Sequence, residues 1–236
     1  DGGPDVLIGL PWMEYGKLTN AYVLLSNGLI EAVRHKVDLP NYGVFDEKRV
    51  FVSGAMPGPV VIKGVRIGLP ICEDIWTPDV VECLSETGSE ILLVPNGSPY
   101  WRDKTDTRLN IGVARVRESG LPLVYLNQIG GQDELVFDGA SFVLNADCSM
   151  AAQLPAFREA LIVTVWNRTA DGWRCDAAEK AVIEQLGGNP TSLGVTSAFM
   201  IAMATLPGIP ALPFLFLGGL SGYLCWYLFQ HPDAAK

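Results

Sequence analysis

Cys72 closes the apolar run VRIGLPI and is followed at once by Glu73 and Asp74. A cysteine at the C-terminal end of a central strand stands where open α/β sheets present reactive groups, and its thiolate is a strong nucleophile toward a carbonyl carbon. Lys36 follows a second strand-like segment, GLIEAVRH, ahead of a Pro-Asn loop. A lysine ammonium beside a thiol favours the thiolate and can stabilise an oxyanion. Each residue also has a plainer reading, the cysteine as a small hydrophobe and the lysine as a solvated charge. Cys83, Cys148 and Cys225 read as helix-core, turn and membrane residues. Five cysteines without a CxxC pair, and only two histidines, predict no metal site and suit a reducing compartment.

The elements that must position Cys72 and Lys36 are legible as hydrophobic patterns. Residues 5–10, 20–25 and 28–35 read as strands, the first two joined by a turn at Tyr15-Gly16-Lys17. Residues 39–51, with Pro40, Asn41, Gly43 and Asp46, read as a loop. Residues 59–71 predict a hairpin about Lys63-Gly64, and residues 79–87 a short amphipathic helix capped by Asp79 and ended by Gly88. Residues 91–96 and 121–128 are continuous apolar runs typical of buried strands. Between them, residues 104–119 predict a helix with Leu109, Val113 and Val116 on one face and Arg108, Arg115 and Arg117 elsewhere. Strands are further predicted at 141–146, 149–154 and 161–166, and a polar connector at 167–190. Strands alternating with helices indicate a layered α/β domain.

The chain has 236 residues, a net charge of −9 and 49% apolar residues, enough for a sizeable core and too apolar for disorder. Its acidity argues against nucleic acid as a partner. The charge is unevenly spread: residues 185–232 contain no Asp, Glu, Lys or Arg, so residues 1–184 carry all of it. Within that neutral tail, residues 192–206 and 214–229 are apolar stretches separated by PGIPALP. Gly218, Gly219 and Gly222 permit close helix approach, and Tyr223, Trp226 and Tyr227 cluster as interfacial aromatics do. The pattern predicts a two-helix transmembrane-like hairpin over 192–230, a buried soluble hairpin being the alternative. No secretory leader is expected at the start of the chain. Residues 1–178 are thus expected in the cytoplasm, with the tail as an inner-membrane anchor.

The strings GLPICEDIW, LPNYGVFDEKRVF, LVPNGSPYW and LNQIGGQDELVFDGASFVLN closely resemble the glutaminase domain of glutamine-dependent NAD synthases, a branch of the nitrilase or carbon-nitrogen hydrolase superfamily. The resemblance spans residues 4–178. It implies an α/β fold of the αββα sandwich type, with a Glu-Lys-Cys triad at one end of the sheets. It also implies a homo-oligomer, as in relatives. Carried over by position, Cys72 matches the nucleophile and Lys36 the catalytic lysine. Tyr42 matches a tyrosine lining the glutamine pocket. Ser98 and Lys104 match positions that hold the substrate's amino-acid end, and Glu47 a second acidic residue near the site. The family's catalytic Glu belongs to a segment ahead of DVLIGLPW, so the sandwich is expected to be truncated at its N-terminus. No cofactor is expected for this domain. ATP and deamido-NAD would belong to a synthetase domain, which receives the ammonia in intact relatives and has no counterpart after residue 178.

The tail resembles a different family. VIEQL, NP and LPGIPALPFLFLGG are similar to the last transmembrane pair of the flagellar and type III secretion export-gate proteins. The expected organisation is therefore an incomplete hydrolase domain over 1–178, a connector over 179–191 and the hairpin over 192–230. A junction between unrelated fragments is expected near 176–181, as in a misjoined reading or an artificial recombination. Two rival functions stay open: another carbon-nitrogen hydrolase acting on a different amide, and a non-enzymatic membrane-anchored protein.

Overall fold

A computed structural model describes residues 3–176 and scattered helical positions between 197 and 226. The chain divides into two compact units, Asp1–Cys175 and Asp176–Lys236. The first unit opens with three antiparallel strands, β1 (Val6–Glu14), β2 (Lys17–Ser26) and β3 (Leu29–His35), paired in the order β1-β2-β3. Glu14 pairs with Lys17 across the first turn, where Tyr15 and Gly16 both have positive φ. That is the backbone a tight hairpin of right-twisted strands requires.

The loop after β3 contains one helical turn, α1 (Glu47–Val50), that hydrophobic pattern did not reveal because none of its residues is buried. A hairpin of β4 (Val60–Ile62) and β5 (Val65–Gly68) leads into a 3-10 helix, Cys72–Ile75, and then α2 (Asp79–Glu86). Asp79 does not cap α2. Pro78 holds the N-cap position, and Asp79 is the first helical residue, where its charge favours the positive end of the helix. Next come β6 (Ile91–Asn96), α3 (Lys104–Ser119) and β7 (Leu123–Asn127). A six-stranded sheet has the order β11-β10-β7-β6-β5-β4, its outer members being β10 (Phe142–Leu144) and β11 (Met150–Gln153). Strands β5, β6 and β7 run parallel at its centre.

Alternation along β6 divides the core. Leu92 and Val94 face α2, α3 and the inner ends of β7 and β10, while Ile91 and Leu93 face Tyr22 and Leu24 of β2. The described residues therefore stack as helices on one sheet and that sheet on the other, three layers of the expected αββα arrangement. Gly112 lets α3 lie close to the sheet, since a Cβ there would come within 3.1 Å of the Phe142 ring. The other face of β1-β2-β3 leaves Val6, Ile8 and Ile30 exposed among the described residues.

Two further expectations are corrected. Residues 161–165 form no strand. The supposed polar connector begins with a hairpin, β12 (Trp166–Thr169) and β13 (Gly172–Cys175), which packs Trp166 and Trp173 against the inter-sheet core. A second unforeseen hairpin, β8 (Ile129–Gln132) with β9 (Leu135–Asp138), follows β7.

In the second unit, the Ser197 hydroxyl donates to the Gly218 carbonyl at 2.7 Å. A Cβ on Gly218 or Gly222 would meet Ser197 or Ile201 at 2.8–3.3 Å, so these small residues allow the close contact, whereas Gly219 faces open space. Among the described residues no helix is long and apolar enough to cross a membrane. Much of 192–206 and 214–229, and the connector 179–191, lie outside the described residues.

Candidate active site

Cys72 begins the 3-10 helix that follows β5, with φ +51°. A left-handed conformation is costly for a residue with a Cβ, and here it turns the thiol out of the strand direction at the sheet's C-terminal edge. Parallel pairing of β5 with β6 matches Ile67 to Ile91 and Gly68 to Leu92. Pairing of β6 with β7 sets Asn96 beside Asn127, just before Gln128. Cys72, Asn96, Gly97 and Gln128 line a cavity of about 330 Å³. The ends of three parallel strands thus converge on one hollow, the usual location for chemistry in such sheets.

Lys36 and Glu47 complete the wall. Lys36 is only 1% exposed, and its ammonium donates to Glu47 Oε1 at 2.6 Å. Its backbone is fixed on both sides: its N–H donates to the Asn20 carbonyl, and its own carbonyl accepts from Gly54 N, both at 2.8 Å. Gly54 must be glycine at this approach, because a Cβ would lie 2.5 Å from the His35 Cβ. Glu47 Oε2 is buried and takes no protein donor.

The Cys72 thiol is pushed upward in pKa, chiefly by desolvation and further by the carboxylates of Glu73 and Glu47. The Lys36 charge and a hydrogen bond from the Gly97 amide act in the opposite direction. Removal of the thiol proton therefore requires a base, with Lys36 and Gly97 ready to hold the resulting anion.

The remaining predicted residues are close by but outside this cavity's wall. Tyr42 lines an adjoining hollow of about 740 Å³ together with Glu73, and its hydroxyl donates to Glu73 Oε1 at 2.7 Å. Ser98 is buried just past β6, its N–H donating to Asn127 Oδ1 at 2.9 Å. Lys104 is buried at the start of α3 with its ammonium 3.0 Å from the Trp101 ring centre and 4.4 Å from that of Trp76. Burial, with the Arg108 charge, pushes Lys104 down to about 8.

Arg108 corrects the sequence reading of α3. It is fully buried, bonding Asp138 through both carboxylate oxygens at 2.7 and 2.9 Å. It also donates to Ser98 Oγ at 3.1 Å and to the carbonyls of Ser98 and Pro99 at 2.7 and 3.1 Å. This guanidinium fixes the loop between β6 and α3. Asn96, Gly97 and Gln128 were not singled out from sequence either. The signal was available in PNG and NQ, polar pairs that end buried strands at the same edge as Cys72.

Comparison with known proteins agrees with this geometry. The carbon-nitrogen hydrolase family model matches residues 4–174, and the FHIPEP family model matches residues 149–236, reaching upstream of the apolar tail. The chain is 48% identical over 177 residues to a glutamine-dependent NAD(+) synthetase of Rhodobacter capsulatus, covering 75% of this chain and 32% of that protein. It is 38% identical over 227 residues to the corresponding protein of Xanthomonas campestris pv. campestris, covering 86% and 41%. The chain therefore spans well under half the length of either relative. Among solved structures it resembles the glutamine-dependent NAD+ synthetase of Acinetobacter baumannii in complex with ADP, at TM-score 0.69 and 32% identity, covering 87% of this chain and 39% of the other. It also resembles an amidase from Nesterenkonia sp. AN1, at TM-score 0.57 and 28% identity, covering 64% and 59%. In that structure acrylamide has added to the active-site cysteine. With a family match across more than two thirds of its length, the chain belongs to the carbon-nitrogen hydrolases.

Proposed function

We propose that the first unit carries the glutamine-hydrolysing site of a glutamine-dependent NAD synthetase, with Cys72 as nucleophile. The observation that carries this reading is the convergence of Cys72, Lys36 and Glu47 on one cavity at the sheet's C-terminal edge. Similarity to the synthetases above favours glutamine over other amides.

In the proposed reaction a base takes the Cys72 proton and the sulfur attacks the side-chain amide carbon of glutamine. The tetrahedral oxyanion is held by the Lys36 ammonium and the backbone N–H following Cys72. The C–N bond then breaks, ammonia leaves with the proton held by the base, and a thioester remains. Water attacks the thioester, giving up a proton to the base, and glutamate departs as the thiol is restored. Tyr42 is assigned to the lining of the glutamine pocket, and Ser98 and Lys104 to the amino-acid end of the substrate. Ammonia would pass to a synthetase domain, where ATP and deamido-NAD bind in intact relatives.

The resemblance assigns the base to a Glu in a segment ahead of DVLIGLPW. The carboxylates that act on Cys72 here, Glu47 and Glu73, already accept from Lys36 and Tyr42. Cys72 should be covalently labelled by a glutamine-like chloroketone. Labelling that survives Cys72→Ala overturns the proposal.

A second reading concerns the tail, favoured by the FHIPEP match and the Ser197–Gly218 contact. In it, residues 192–230 anchor the chain in a membrane. Extraction of the full chain that depends on detergent, compared with a chain ending at residue 178, supports this; equal solubility of the two defeats it.

A further inference from the structure

Asp74 is a buried carboxylate whose hydrogen bonds run to backbone alone. Val37 N–H and Asp38 N–H donate to Oδ1 at 3.0 and 2.7 Å, and Ile71 N–H donates to Oδ2 at 2.8 Å. Its own N–H donates to the Ile71 carbonyl at 3.1 Å, closing the 3-10 turn. Two of the donors directly follow Lys36, and the third directly precedes Cys72. Lys36 follows β3 of the three-stranded sheet, and Cys72 follows β5 of the six-stranded sheet.

We propose that Asp74 is a positioning residue that ties the two sheets together at their reactive edge, and thereby sets the distance from the Lys36 ammonium to the Cys72 sulfur. The proposal rests on the reading of Lys36 and Cys72 given above. Its physical basis is a difference in directionality. The sheets face each other through Tyr22, Leu24, Ile67 and Ile91, and apolar contact holds area out of water without fixing register. Hydrogen bonds to a carboxylate do fix position, because both oxygens are committed to particular N–H groups. Only a group that accepts at both ends can do this. An asparagine in the same place would keep the bonds from Val37 and Asp38 but turn an N–H toward the Ile71 N–H. Thr77, whose hydroxyl donates to Asp38 Oδ2 at 3.0 Å, and Ser53, which donates to the Val37 carbonyl at 2.6 Å, brace the same corner without touching the cysteine turn's backbone.

The test is the pH dependence of Cys72 alkylation by iodoacetamide in the full chain, followed on the Cys72 peptide by mass spectrometry. Lys36→Met should move the midpoint upward by about one pH unit or more, since a neighbouring cation is lost. Asp74→Asn should reproduce most of that shift, and the double variant should shift no further than Lys36→Met alone. An Asp74→Asn chain that melts cooperatively but keeps the wild-type profile overturns the positioning role and leaves the lysine–cysteine reading standing. An unchanged profile in Lys36→Met overturns both. Where Asp74→Asn does not melt cooperatively, amide exchange of the unaltered chain decides. Joint protection of Val37, Asp38 and Ile71 supports the tie, and exchange of any one at the rate of a free amide removes it.

Discussion

The Lys36 ammonium, almost wholly out of water, is 2.6 Å from Oε1 of Glu47, whose side chain is 18% exposed. The two partners are unequal in burial, and their loss should be unequal in cost. Glu47→Ala strands a buried ammonium and is expected to cost about 3 kcal/mol. Lys36→Met removes that charge, fills its volume and leaves a carboxylate that the cavity can hydrate, at about 1 kcal/mol. Urea unfolding of both variants checks the order; equal losses would contradict it.

Cys72 pays for its orientation in backbone energy, with φ +51°. Glycine occupies that region freely, whereas alanine does not. Cys72→Gly should be more stable than Cys72→Ala by about 1 kcal/mol, although both lack the nucleophile. Melting curves of the two variants provide the comparison, and an alanine variant as stable as the glycine variant would show the turn to be unstrained.

The Arg108–Asp138 pair, each side chain 1% exposed, joins α3 to β9 and to the Ser98 loop. Asp138→Ala leaves the guanidinium buried with part of its charge unbalanced, and a loss of about 3–5 kcal/mol is expected. Replacing both residues with leucine should not restore stability, because the carbonyls of Ser98 and Pro99 would lose their donor. A double variant as stable as the parent chain is the contrary outcome, measured by denaturant titration.

Lys104 is held down to about 8, and its ammonium faces the rings of Trp76 and Trp101. Tryptophan fluorescence should therefore step with a midpoint near 8, and Lys104→Met should remove the step. The folded pKa lies below the usual lysine value of 10.5, so between these values the unfolded chain binds more protons. Lys104 consequently costs stability below about pH 8, and that cost fades as pH rises toward 10.5. A Lys104→Met chain whose stability retains the same slope over this window would assign the effect to other groups.

Legibility in the sequence followed chemistry that declares itself locally. The β1-β2 turn was readable because Tyr15-Gly16 offers the backbone freedom a tight hairpin needs, and α3 because Leu109, Val113 and Val116 recur on one face. Strand β8 was missed because IGGQ offers a single apolar residue, and β9 because its apolar run is only three residues long, Leu135 to Phe137. Arg108 was placed only off the apolar face of α3, because its partner, Asp138, is thirty positions away and the pairing exists only in three dimensions. At the site, Cys72 and Lys36 were reached by strand-end position and by family resemblance together. Asp74 was not, since its role lies in backbone groups that carry no sequence signature.

The outer face of β1-β2-β3 bears on how this chain behaves in concentrated solution. Val6, Ile8 and Ile30 meet water there, on a molecule with a net charge of −9. At neutral pH mutual repulsion between molecules holds such faces apart. Acid neutralises the carboxylates responsible and leaves the apolar patch untouched. Colloidal attraction then takes over while the fold is still intact, so turbidity on acidification would report sticking of native molecules ahead of any loss of structure.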